Sequence, residues 1–186
     1  MKNPIATLKM KNGKEITIEL YPQFSPNAVN SFINLANKGT FDNKDVKRIV
    51  PGFVLQPTYD EFVESDDYRY ELDGEFEANG FDGGKPFEKW TVALAGDGVK
   101  YTSGSCYYIT LSDEAAKKLN GKYTTIGKVI DGFEEVERIE NVKTAPVECG
   151  LEGVEVNLPI IPETIESIRV ETFGIDYPKP QIARYV

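Results

Sequence analysis

Arg48, Phe53 and Gln56 fall close together in the run VKRIVPGFVLQ from Val46 to Gln56, and they supply a fixed cation, an aromatic face and an amide. Arginine stays charged and presents several donors rigidly, so it suits stabilising a transient charge better than shuttling a proton. By strand alternation Arg48, Val50, Val54 and Gln56 share one side. Phe53 falls on the other side unless Pro51-Gly52 interrupts the pleat with a turn or bulge. With that break, all three could line one concave surface. Ile49, Val50 and Leu55 read as buried strand, and the plain alternative for Arg48 is a surface charge beside Lys47.

Other chemistries are excluded one by one. The chain has no histidine, which removes Ser-His-Asp and Cys-His catalysis and every histidine-dependent zinc motif. Gly84-Lys85 runs into Pro86, and Asn79 stands where a phosphate-binding loop needs its first glycine. Cys106 and Cys149 lack metal-type spacing and read as thiols. The acids between Asp60 and Asp73 do not follow a calcium-loop pattern and read as a solvated loop. What remains is carboxylate chemistry, or catalysis without a nucleophile. A net charge of -9 repels phosphate backbones and anionic lipid, so neither nucleic acid nor a membrane is an expected partner. No stretch approaches the roughly 18 apolar residues that span a bilayer, and no signal pattern opens the chain, so a cytoplasmic location is expected.

A chain of 186 residues is enough for one proper core, hence one domain. Alternating Ala6, Leu8 and Met10 face alternating Ile16, Ile18 and Leu20 across Asn12-Gly13, a two-residue hairpin signal. Ser25 offers an N-cap and Pro26 a first helical residue, after which Val29, Phe32, Ile33 and Ala36 keep helical period until Gly39. Strands are expected from Trp90 to Leu94, through Cys106, Tyr108 and Thr110, and at Ile165 to Val170. A short acidic-first helix opens at Ser112. A turn and short helix follow Asp131.

In order and spacing, Arg48, Pro51, Gly52, Phe53 and Gln56 closely resemble the signature of the cyclophilins, the peptidyl-prolyl cis/trans isomerases. The likeness continues through the hairpin and the helix carrying Phe32 and Leu35, through Leu94-Ala95-Gly96 and Gly104-Ser105-Cys106-Tyr107-Tyr108-Ile109, and through Leu119 to Val129. It implies a mainly β fold, a cyclophilin-like closed eight-stranded antiparallel β-barrel capped by two α-helices, over residues 1–173. Residues 174–186 form an extension of unknown role. It further implies catalysed rotation about X-Pro bonds with no cofactor and no metal, acting as a monomer on proline-containing peptides or unfolded proteins.

By the same resemblance Arg48 is the catalytic residue. Phe53, Val54, Leu94, Tyr108 and Leu119 grip the proline ring, and Gln56 with the Ala95 and Gly96 backbone holds the flanking peptide. Cys106 and Tyr123 stand at cleft positions where the family usually has glutamine and histidine. Lys118 replaces a tryptophan that commonly contacts cyclosporin, which implies insensitivity to that drug. Pro57 follows Gln56 where the family continues with glycines. The alternative reading is a proline-peptide binding or chaperone module with little turnover.

Overall fold

The first hairpin forms as its alternation requires: β1 (Ile5–Met10) pairs antiparallel with β2 (Glu15–Leu20), and Ala6, Leu8, Met10, Ile16, Ile18 and Leu20 are all buried. A computed structural model describes residues 2–57, 69–82, 84–150 and 152–186, so the acidic run from Asp60 to Tyr68 lies outside the described residues. The first helix, α1 (Pro26–Asn37), starts at the proline, but Ser25 does not cap it with its side chain. Its hydroxyl instead donates to the Thr125 carbonyl. The cap comes from far along the chain, where the buried Glu75 carboxylate accepts the N–H groups of Asn27 at 3.0 Å and Ala28 at 2.8 Å. A carboxylate complements the positive end of the helix better than a hydroxyl does. Burial nevertheless raises the Glu75 pKa, and the two N–H bonds work against that rise.

Beyond α1 come β3 (Lys44–Asp45), β4 (Arg48–Val50), β5 (Val54–Gln56), β6 (Tyr70–Asp73), β7 (Thr91–Gly96) and β8 (Tyr101–Thr110). They are followed by α2 (Asp113–Leu119), β9 (Thr124–Asp131), α3 (Phe133–Glu140), β10 (Thr144–Pro146), β11 (Asn157–Pro159), β12 (Thr164–Glu171) and β13 (Arg184–Tyr185). The ladders are antiparallel and run β13-β6-β8-β7-β9-β2-β1-β12-β3, with β5 pairing both β4 and the far end of β8. The result is mainly β, a strongly curled sheet in the manner of half a barrel. It is less regular than eight uniform strands: between β3 and β4, Val46 donates to the Glu163 carbonyl and Lys47 to that of Gln56, turning the chain from one neighbour to the other. Besides the two helices implied as caps, the short helix expected after Asp131 forms as α3, whose Phe133 ring packs 5.5 Å from Trp90.

α1 closes one end of the curled sheet with Phe32 and Leu35, and the Phe32 ring meets Tyr107 edge-on at 5.3 Å. β10 and β11 form a separate hairpin outside the main sheet. Asn157 ties it to β4 by donating to the Ile49 carbonyl at 3.0 Å. Residues 174–186 pack on the same body. Asn34 donates to the Pro178 carbonyl, Asn27 and Gln181 exchange two bonds, and β13 extends the edge of β6 with Tyr185 against Tyr70.

Candidate active site

Pro51 and Gly52 occupy the middle of a tight turn closed by Phe53 N–H to the Val50 carbonyl at 2.9 Å. Gly52 takes φ 71°, a conformation that a proline-glycine pair supplies at no steric cost. Ser112 Oγ donates to the Gly52 carbonyl at 2.6 Å, and Gly52 N–H donates to the Glu140 carboxylate at 2.8 Å, so the turn is held from both sides. The register Arg48↔Gln56, Ile49↔Leu55, Val50↔Val54 sends Ile49 and Leu55 into the main core and Arg48, Val50, Val54 and Gln56 to the opposite face. The turn swings Phe53 to that same face, where it packs with Val54.

This face carries a second apolar cluster, separate from the main core: Val54, Ala93, Tyr108 and Leu119, with Val50, Phe53, Phe87, Ala95 and Tyr123 packed against it. Of the residues singled out in the sequence, Phe53, Val54, Ala95, Tyr108, Leu119 and Tyr123 therefore come together. Leu94 does not. Its side chain is fully buried in the main core, and Ala93 takes the place expected for it. Successive strand residues point to opposite faces, so Leu94 and Ala95 cannot line the same cleft. That parity was available in the sequence, whereas nothing local marks Phe87, whose N–H is fixed by Asn120 Oδ1 at 2.9 Å.

Tyr108 meets Tyr123 edge-on, with ring centroids 6.0 Å apart. Its hydroxyl is buried without a hydrogen-bond partner among the described residues. Burial pushes its pKa well above the ordinary value, Tyr123 and Cys106 push the same way, and the Arg48 charge opposes them. An unpaired buried hydroxyl costs about 1 to 3 kcal/mol. Tyr108→Phe is therefore expected to raise the unfolding free energy by about 1 kcal/mol in urea titrations. A fall in stability would show that the hydroxyl is satisfied in solution.

Arg48 is half-buried and held at two atoms. Nε donates to the Glu155 carbonyl at 2.7 Å, and Nη1 donates to Gln56 Oε1 at 3.2 Å. Gln56 is 2% exposed, and its Nε2 points at Cys106 Sγ, 2.8 Å away. Gln56, expected to hold the flanking peptide, and Cys106, expected at the cleft, both lie under the surface, with the amide bonded to the arginine at one end and the thiol at the other. The Ala95 carbonyl is occupied by Thr102 Oγ1 at 2.9 Å, while Gly96 is exposed at the rim. Lys118 is exposed at the end of α2. Glu75, the buried acid that could have suggested proton chemistry, is spent on the α1 terminus. Among the described residues no group of acids, cysteines or histidines could hold a metal ion. The arrangement is an apolar face, with Val50, Phe53, Phe87, Ala95 and Tyr123 half-exposed over a buried cluster, on the same side of the strands as a fixed guanidinium. It can bind an apolar ring and donate a hydrogen bond to an atom gaining electron density, and it offers no nucleophile.

Comparison with known proteins bears on what that arrangement serves. Residues 5–160 match the model of the family described as cyclophilin type peptidyl-prolyl cis-trans isomerase/CLD. Peptidyl-prolyl cis-trans isomerase B of Bacillus subtilis is 33% identical over 71% of this chain and 87% of its own length. Peptidyl-prolyl cis-trans isomerase CYP18-2 of Arabidopsis thaliana is 28% identical over 82% of this chain and 90% of its own. Among solved structures, a cyclophilin type peptidyl-prolyl cis-trans isomerase of Cryptosporidium parvum superposes with TM-score 0.73 at 24% identity, covering 91% of this chain and 98% of that one. A second structure of the same parasite protein, obtained in the presence of the dipeptide Ala-Pro, superposes with TM-score 0.72 at 24% identity. At that identity the likeness concerns the fold.

Proposed function

The chain belongs to the cyclophilin-type peptidyl-prolyl cis/trans isomerases, and from that premise we propose how its own residues turn an X-Pro bond. Amide resonance opposes the rotation with a barrier of roughly 18 to 20 kcal/mol, and no covalent bond need break to pass it. The proline ring sits on the face formed by Phe53, Val54, Ala93, Tyr108 and Leu119, with Tyr123 at its side. The flanking peptide runs along the exposed rim at Gly96. As the bond twists, conjugation is lost and the lone pair returns to the proline nitrogen. A donor from the Arg48 guanidinium then gains strength, favouring the twisted state over either planar one, and that difference lowers the barrier.

The observation that carries this reading is the position of Arg48: braced through Nε and Nη1, and on the same strand face as Val50, Val54 and the apolar cluster. Among the described residues no bond engages Nη2, which leaves that nitrogen for substrate. Proline-containing peptides are the substrate class, a view supported by the Ala-Pro dipeptide used with the Cryptosporidium parvum protein. The test is exchange spectroscopy on a proline tetrapeptide. Faster cis/trans exchange is expected at catalytic protein concentrations, and binding without acceleration would assign the chain a holding role instead.

Cyclosporin sensitivity follows from the α2 end of the cleft. Lys118 there is an exposed ammonium and cannot supply an indole surface to a large apolar ring. Inhibition by cyclosporin is expected only well above nanomolar concentrations in the same assay, and nanomolar inhibition would refute the argument.

A further inference from the structure

We infer that Cys106 is a positioning residue for catalysis, acting through Gln56 on Arg48; the inference rests on the role proposed above for Arg48. An amide carries its acceptor at one end and its donors at the other, and a guanidinium only donates, so Gln56 Oε1 must face Arg48. Nε2 is thereby aimed at the neighbouring strand, where Cys106 Sγ receives it 2.8 Å away. The sulfur is itself fixed. Cys106 is 2% exposed on β8, and its backbone N–H is held by Ser103 Oγ at 2.9 Å. Gln56 is equally buried, which leaves its amide little room to turn without losing one partner.

The chain of contacts Cys106–Gln56–Arg48 therefore fixes Nη1, while the Glu155 carbonyl fixes Nε. Two points of attachment determine the plane of the guanidinium, and with it the direction in which Nη2 points. Loosening one lets the fork rotate. The cost then falls on the twisted state, which needs a directed donor, more than on binding of the planar peptide.

The experiment is a double-mutant cycle read as kcat and KM separately by exchange spectroscopy, with thermal unfolding recorded for every variant. Cys106→Ala is expected to lower kcat about 5-fold with KM little changed, and Cys106→Ser, which keeps an acceptor in place, to recover most of the loss. In a Gln56→Ala background the same Cys106→Ala change is expected to do less than about 2-fold further harm, because the contact it removes no longer reaches Arg48. Equal losses in both backgrounds, or an unchanged kcat in folded Cys106→Ala, would overturn the inference. A fall confined to the unfolding midpoint would reduce Cys106 to packing. Arg48→Ala separates the two levels of the argument: if it retains activity the mechanism fails, whereas if it loses activity and the cycle is additive only the role of Cys106 fails.

Discussion

Arg48→Ala is expected to lower kcat for a proline tetrapeptide on the order of 100-fold, about 3 kcal/mol, with KM changed far less. The size is that of removing one preorganised donor. The KM expectation follows because the proline ring is held by Phe53, Val54, Ala93, Tyr108 and Leu119, and the arginine adds little to binding a planar amide. Arg48→Lys is the sharper control. It keeps the charge, but a lysine cannot reach the Glu155 carbonyl, Gln56 and the substrate from one rigid plane, so less than about a tenth of the activity should return. Circular dichroism must show both variants folded. Undiminished isomerisation by folded Arg48→Ala would remove the guanidinium from the mechanism.

Gly127→Ala is expected to be strongly damaging to the sheet, costing about 3 kcal/mol or more. Gly127 lies on β9 between two paired strands, opposite Leu20 on β2 and Val92 on β7. A methyl group there would stand 2.3 Å from the Glu19 carbonyl oxygen and 3.1 Å from Ile18 Cγ2. The first of these is backbone inside a ladder and cannot retreat without breaking pairing. Gly13→Ala provides the contrast. Its φ of 83° is strained for alanine, but a methyl meets nothing within 4 Å, so only about 1 kcal/mol should be lost. Urea unfolding of both variants tests the pair, and similar losses would mean that β2 and β9 separate more readily than their register implies.

Much of the scaffold was legible because it is local. The alternation around Asn12-Gly13 contains the hairpin, the period of Val29, Phe32 and Ala36 contains α1, and Pro51-Gly52 contains the turn that brings Phe53 beside Val54. Leu94 was misplaced although the rule that corrects it is the simplest one for strands: a strand buried on both faces shows no polar alternation, and hydrophobicity alone does not say which face is the cleft. The groups that brace the site were out of reach for a different reason. Glu155 meets Arg48 across 107 residues, and Glu75 meets Ala28 across 47, so no period or motif connects them. Gln56 was assigned to the peptide because its type suits that task. Only its burial reveals that the amide is already engaged.

The brace on Arg48 is made of a carbonyl and an amide rather than a carboxylate, and this sets the electrostatics of the cleft. A carboxylate would have held the guanidinium as firmly while cancelling its field. Neutral oxygens hold it, and among the described residues no carboxylate forms an ion pair with it. In a molecule whose total is -9, the site thus keeps a positive charge that no carboxylate among the described residues pairs with directly. Charges more than about 10 Å away are screened by salt, so an approaching proline nitrogen senses mainly the groups beside it, the Arg48 cation among them.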